Sequence, residues 1–432
     1  MPPAPTRRRF LRSLLGATVG GAALTRAEAA RGAVTAVAAG TGFRAGDEAS
    51  VRRLRSAYML APDVRYLNHA SIGTVPRAVH EAHSAYLALC ETRPSLYVWG
   101  APWREATEET RRAAARLLGA EPEDLAVTHN TTEGFNVLAH GLPLAHGDEV
   151  LFSSLNHPGA SVPWTALAPR RGYTVRRFDV PVERVPEMTE EEVVELHVAA
   201  LSERTRALVV PHVDNQVGLR HPLRRLADAA RARGVRWILV DGAQSAGMIP
   251  VELAEAGVDA YAMSPHKWIQ SPKGLGLLWV SPGLRPALPR MWHRREDAGR
   301  EPSARKYEDY STRAWPGVVA LGDAVDFQLA LGEDEKERRR RAVRARIQER
   351  VEAEPGLVWA SPVSWELGSA IVAVRVRGRS APEVGRLLLR EDGVDTRAFG
   401  APLNTLRLSP DVSTPVEEID AALDRMAAAA RP

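Results

Sequence analysis

The chain is poor in the residues that carry several common chemistries. Its 432 residues include one cysteine, Cys90, and four lysines, Lys267, Lys273, Lys306 and Lys336. One cysteine can neither close an internal disulfide nor build a thiolate zinc cluster. No Gly-x-Gly-x-x-Gly opens a helix after a strand, no phosphate loop ends in Gly-Lys-Ser/Thr, and His-Glu-x-x-His is missing. The usual signatures of dinucleotide binding, nucleotide hydrolysis and zinc proteolysis are therefore absent, and no metal site is expected. No apolar run is long enough to span a bilayer. Charge is nearly balanced: the net +4 is carried by Arg7, Arg8, Arg9, Arg12 and Arg26 against Glu28, which leaves the rest of the chain neutral. Nothing in that balance points to nucleic acid. What remains is an ordinary globular composition, 45% hydrophobic and 25% charged, long enough for a large core. In so arginine-rich a chain each lysine stands out, because arginine confers solubility equally well but cannot do amine chemistry.

Residues 1–29 read as an address. Thr6-Arg-Arg-Arg-Phe-Leu-Arg12 precedes a short Gly/Ala-rich apolar stretch, Leu14 to Leu24, and then Ala27-Glu28-Ala29. A charged region, a weakly apolar region and small residues at a cleavage point stand in the order of an export signal. The pattern resembles a twin-arginine signal, which implies a bacterial protein exported, already folded, to the periplasm or beyond. The lack of disulfide cysteines fits folding in a reducing compartment first. Residues 30–50 are rich in Ala, Gly and Thr without periodicity, and 30–65 are expected to be a linker and N-terminal arm.

From Tyr66 onward strand-like and helical segments alternate. Ala207–Val213, Trp237–Val240 and Leu275–Val280 read as buried strands, and Leu223, Leu226, Ala227 and Ala230 share a helical face that Gly234 ends. This alternation implies an α/β, doubly wound, mainly parallel sheet over 66–318, with ligands at the carboxyl ends of its strands. The charged run Glu333–Arg341 reads as a solvated helix face linking to a smaller α+β domain over 319–432.

Five strand ends carry polar residues that work together. Ser264-Pro265-His266-Lys267 follows the apolar run Ala260–Met263, and a poorly solvated lysine there has a lowered pKa and an amine free to attack a carbonyl. Asp241 ends the strand Trp237–Val240, where a buried carboxylate needs a cation such as a protonated pyridine. Thr131 and Thr132, after Asp124–Thr128, combine hydroxyls with the amides of a helix N-terminus, a site for a phosphate. His157, after Val150–Ser154, offers a ring to stack on a heteroaromatic, and Asn215 offers a partner for a ring hydroxyl. Singly each is an ordinary loop residue; together they match pyridoxal phosphate.

In their order, Thr-Thr-Glu, Asn-His…Val-Pro-Trp, His-Val-Asp-Asn, Asp-Gly-Ala-Gln and Ser-x-His-Lys resemble the class V aminotransferases, fold-type-I pyridoxal-phosphate enzymes, over Tyr66 to the C-terminus. The resemblance implies Lys267 as the Schiff-base lysine, Asp241 as the pyridine partner and His157 as the stacking ring. It implies Gln244 and Asn215 at the ring hydroxyl and Thr131, Thr132, Ser264 and His266 at the phosphate. It implies Arg407, in Leu-Arg-Leu-Ser-Pro, at the substrate carboxylate, through a bidentate fork. Thr312 stands where relatives contribute a Gly-Thr across a homodimer interface, with Ser311 in place of the glycine. Tyr66-Leu-Asn-His-Ala-Ser-Ile-Gly leans toward the isopenicillin N epimerase-like branch. Desulfurases of the family need a cysteine near Ala398–Leu403; none is there, and Cys90 falls in an early helical segment.

The implied function is chemistry at the α-carbon of an amino acid, with Lys267 as general base. Return of the proton to Cα gives epimerisation, and its return to the cofactor gives transamination. Loss of a β-substituent would make a β-lyase. Two rival functions are those of a secreted non-catalytic binding protein and of a sugar aminotransferase. Intact Lys267, Asp241 and Arg407 oppose the first, and Arg407 opposes the second.

Overall fold

The computed structural model describes residues 21–99, 101–293, 302–309 and 311–430. A seven-stranded sheet is built from β1 (Leu125–Thr128), β2 (Glu149–Ser153), β3 (Thr174–Phe178), β4 (Thr205–Pro211), β5 (Trp237–Asp241), β6 (Ala260–Met263) and β7 (Gly276–Val280). The spatial order is β1-β7-β6-β5-β4-β2-β3. All neighbours run parallel except β7, which is antiparallel to both β1 and β6. Six of these strands are almost wholly buried apolar runs, as a sheet covered on both faces requires. The sheet is thus doubly wound and mainly parallel, as the alternation implied. Edge strand β3, Thr-Val-Arg-Arg-Phe, lacks an apolar run because one side of it faces water.

The smaller unit follows the largely buried helix Trp315–Leu331 and the helix Glu333–Ala353. It holds an antiparallel sheet of β8 (Leu357–Trp359), β9 (Val372–Val376), β10 (Arg397–Phe399) and β11 (Thr405–Leu408), in the order β10-β11-β9-β8. Helices Ala381–Asp392 and Val416–Ala429 pack on it around Leu388, Leu406, Ile419 and Met426. Two short strands, Arg65–Tyr66 and Val394–Asp395, pair in parallel as a separate two-stranded sheet.

Two expectations fail. Residues 30–40, expected as linker, belong to a helix, Gly21–Gly40, whose Leu24, Ala27, Val34 and Ala38 are buried against the main core. Its Arg31 reaches Asp323 at 3.4 Å and Glu109 at 3.5 Å. Alanine has the highest helix propensity, so an Ala-rich stretch becomes helical once a core accepts its small side chains, without a clear periodic pattern. The charged run Glu333–Arg341 is helical but not a solvated face: Lys336, Arg339 and Arg340 are buried, as is Arg344 beyond it. The twin-arginine residues lie outside the described residues. No helix among those described is long and apolar enough to cross a membrane, and none of their His, Cys, Asp and Glu side chains group to hold a metal.

Candidate active site

The carboxyl ends of β1, β2, β4, β5 and β6 deliver the expected residues to one place, joined there by β11. Asp241 is the last residue of β5 and is buried. Its Oδ1 accepts the Ala243 amide at 3.0 Å, and burial raises its pKa while Lys267 and His157 pull it back. Lys267 follows β6 in a tight turn. Desolvation brings its ammonium down to about 8, against the pull of Asp241 and with help from the positive charge of Arg407. No hydrogen bond or ion pair among the described residues holds that ammonium. A lysine kept without a partner beside a buried carboxylate that lacks an ion pair fits a group that bonds the lysine and brings its own cation to the carboxylate.

The turn is clamped from above. The Gly73 amide donates to the His266 carbonyl at 2.9 Å. A Cβ on Gly73 would overlap the Lys267 carbonyl, so only glycine permits this approach. Gln244 donates to the Ala70 carbonyl and accepts from the Trp268 indole, both at 2.9 Å, which leaves one amide hydrogen for a ligand.

The candidate phosphate cup lies where β1 meets the helix Thr131–Gly141. Asn130 caps it by accepting the Glu133 amide at 2.9 Å. Thr131 donates its amide to Ser264 Oγ at 3.1 Å, and the two hydroxyls lie 2.8 Å apart, tying the helix N-terminus to the Lys267 turn. Thr132 is exposed beside Gly159. The His266 ring is held neutral by burial, its pKa lowered to about 4, with Nδ1 unpartnered. A hydroxyl pair, the Thr132 amide at the helix N-terminus and an unpartnered ring nitrogen suit a phosphate.

His157 caps the helix Pro158–Arg171, with Nδ1 accepting the Gly159 amide at 3.1 Å. Burial and the charges of Lys267, Arg407 and Arg397 lower its pKa, so the ring is neutral and able to stack. Arg407, on β11, is buried; it donates to the Asn215 carbonyl at 2.9 Å, Asn68 Oδ1 at 2.8 Å and Ser71 Oγ at 2.5 Å. It meets no carboxylate at ion-pair distance among the described residues, and burial lowers its pKa to about 10. The expected Asn215 therefore contributes its carbonyl to Arg407, while its side chain has no hydrogen bond among the described residues.

Thr312 stands apart: it is exposed, and no hydrogen bond joins it to the cup within one chain. Ser311 before it has φ +83°, a backbone region that favours glycine, the residue that the resemblance implied at this position. Cys90 is buried in the helix Arg77–Thr92, with burial raising its thiol pKa, which removes it as a nucleophile. Sequence reasoning missed the residues that hold Arg407, Asn68 and Ser71, although both lie in the Tyr66–Gly73 segment. It also missed Arg397.

The fold and this site define a pyridoxal-phosphate-dependent enzyme. Residues 65–418 match the model of the family described as aminotransferase class-V, and the chain belongs to that family. It is 31% identical over 393 residues to an isopenicillin N epimerase of Streptomyces clavuligerus, covering 86% of this chain and 96% of that one. It is 30% identical to a probable cysteine desulfurase of Pseudomonas aeruginosa, over 78% of this chain and 84% of the relative. Among solved structures it is similar in fold to the cystine C-S lyase C-DES in complex with its product cysteine persulfide. That likeness has a TM-score of 0.75 at 23% identity, over 85% of this chain and 98% of the other.

Proposed function

We propose that the protein acts at the α-carbon of an amino acid, as an epimerase or aminotransferase of the isopenicillin N epimerase-like branch. The observation that carries this reading is the Lys267 ammonium, without a partner and drawn to about 8, between Asp241 and the buried Arg407. Bound pyridoxal phosphate supplies an electron sink for the bond broken at Cα. Arg407 holds the α-carboxylate, with Asn68 and Ser71 fixing the plane of its guanidinium. Asp241 would offer its carboxylate to the protonated ring nitrogen of the cofactor, and His157 would stack on the ring and exclude water there. Lys267 takes the α-proton and returns it, with a pKa close to working pH as general base catalysis requires.

Support for the branch comes from the identity to two isopenicillin N epimerases, the second from Amycolatopsis lactamdurans at 34% over 345 residues. The missing cysteine between β10 and β11 opposes desulfurase chemistry. Incubation with candidate amino acids in D2O, followed by proton NMR and chiral chromatography, tests the reading. Exchange of the α-proton with inversion identifies an epimerase, and exchange with an oxo acid formed identifies a transaminase. No α-exchange with any amino acid overturns it.

Two further parts belong to the same proposal. The active form is a homodimer in which Thr312 reaches the partner's phosphate cup; a monomer in sedimentation with full activity overturns this. The protein is exported through the twin-arginine route, so replacing Arg7 and Arg8 by lysine retains it in the cytoplasm. A signal cut after Ala29 would remove Leu24 and Ala27 from the packed helix Gly21–Gly40, so N-terminal sequencing of exported protein settles the processing point.

A further inference from the structure

The substrate arginine is not alone. Arg397 on β10 lies directly opposite Arg407 on β11 in the antiparallel register. Both guanidinium carbons lie 5.8 Å from the centroid of the Phe399 ring. Like charges facing each other across neighbouring strands destabilise a sheet. Neither guanidinium meets a carboxylate at ion-pair distance among the described residues. The acids nearby are already engaged: Asp214 takes the amides of Gln216, Val217 and Leu219, and Asp395 accepts from Asn68 at 3.0 Å. The two cations differ in setting, since Arg407 is buried at the base and Arg397 is exposed at the rim. The positive charge of Arg397 acts on both Arg407 and His157, so it lies within electrostatic range of both.

We propose that Arg397 and Arg407 form a two-anion clamp across the Phe399 ring, so that the substrate is an amino acid bearing a second acid group. Arg407 takes the α-carboxylate and Arg397 the distal one. Between them the Phe399 ring presents an apolar surface to the carbon chain that joins the two acids, and cations at such distances from an aromatic ring also hold that ring in place. This rests on the reading that Arg407 binds the α-carboxylate, and it adds the class of side chain. Because Arg397 is solvent-exposed, its contribution is screened by salt, whereas that of Arg407 is not.

The test is calorimetric titration of the cofactor-loaded protein with aspartate, glutamate and their two next longer homologues, each compared with its terminal amide. The wild type is expected to bind the best acid at least 10-fold more tightly than its amide, with the preference shrinking as salt is raised. Arg397→Met is expected to weaken that acid 10-fold or more and to leave the amide within about two-fold. Equal weakening of acid and amide, or no acid preference in the wild type at any length, overturns the clamp. Arg407→Lys is the control for the underlying reading. If it leaves every affinity unchanged, the α-carboxylate assignment fails, whereas a loss shared by acids and amides upholds that assignment whatever Arg397→Met does. Melting temperature and cofactor absorbance of the Arg397 variant, both expected unchanged at this exposed position, separate lost recognition from lost folding.

Discussion

Two of the regions in which this molecule buries arginines put them to opposite work. On the helix Glu333–Ala353, Arg340 donates to the Gly247 and Met248 carbonyls at 2.8 and 2.7 Å, and the strongest charge acting on it is the carboxylate of Asp411. Arg339 is bound by Glu48 and the Thr414 carbonyl. Arg344 donates to the Ser369 and Pro362 carbonyls and lies 5.0 Å from the Trp359 ring. Of these, Arg340 ties the helix to the turn that follows Gln244, Arg339 ties it to Glu48, and Arg344 ties it to the loop before β9. In the site, the strongest charge acting on Arg407 is a second guanidinium, Arg397. Burying a cation is costly in both places, and in the helix the protein's own oxygens offset the cost. In the site three protein oxygens also accept from Arg407, but the guanidinium of Arg397 faces it across the strands and no carboxylate lies at ion-pair distance among the described residues. What sets Arg407 apart from Arg340 is a cation in place of an anion as its charged neighbour, and burial alone does not distinguish the two.

The largest effect that would break this comparison belongs to the lysines, which divide in the same way. Lys267→Ala is expected to abolish borohydride fixation of the cofactor and to lower turnover by about 1000-fold or more, within the range for losing a general base. Lys336 has a pKa lowered by burial, also to about 8, but it is paired with Glu333 at 2.5 Å. Lys336→Met should leave fixation intact. Fixation at Lys336 instead, seen by peptide mapping, would reverse the assignment.

Next in size, Arg407→Lys should reduce kcat/KM roughly 30- to 150-fold, from loss of about 2–3 kcal/mol of charged hydrogen bonding, with a melting temperature close to wild type. Arg340→Met should do the reverse. Removing a buried cation that two carbonyls and Asp411 depend on is expected to cost about 2–4 kcal/mol of stability. Urea unfolding and steady-state kinetics on both variants test the pair. A stable Arg340→Met enzyme with a raised KM would end the distinction.

Histidines extend the comparison to pH. His197, packed between Phe178 and His221 away from the site, is held neutral by burial, its pKa lowered to about 4. The folded state binds its proton less readily than the unfolded chain, whose value is about 6.5. Its neutral form therefore favours folding above about pH 6.5, and stability is lost as pH falls through that value toward 4. Urea midpoints across this window should fall with pH, and His197→Phe should flatten the slope. An unchanged slope in the variant would exclude His197 as the source.

The smallest effect sharpens the contrast within one helix. Arg338 faces water and pairs with Glu335 at 2.7 Å, three residues away. Arg338→Ala should change stability by no more than about 0.5 kcal/mol and leave kinetics alone. A larger loss, read from the same urea curves, would mean that the exposed face of this helix contributes more than an isolated surface pair.

The strand-end residues were legible because the pattern behind them is local. An apolar run that stops at Asp241 or before Ser264 reports a buried strand and what stands at its carboxyl end, and parallel sheets gather those ends in one place. Lys267, Asp241, Thr131 and Ser264 could thus be assigned before any contact was known. Arg407 was legible only through a family likeness, and Arg397 not at all. Their meeting depends on the antiparallel register of β10 and β11, which side-chain alternation alone does not set. The helix Glu333–Ala353 shows the same limit from the other side. Its charges gave the pattern of a solvated face, because a linear sequence cannot say which carbonyls of Gly247, Met248 or Pro362 will be waiting. Local polarity determined the elements and the strand ends that carry the candidate site; only strand register and tertiary packing decided which cations meet carbonyls and carboxylates and which face another cation.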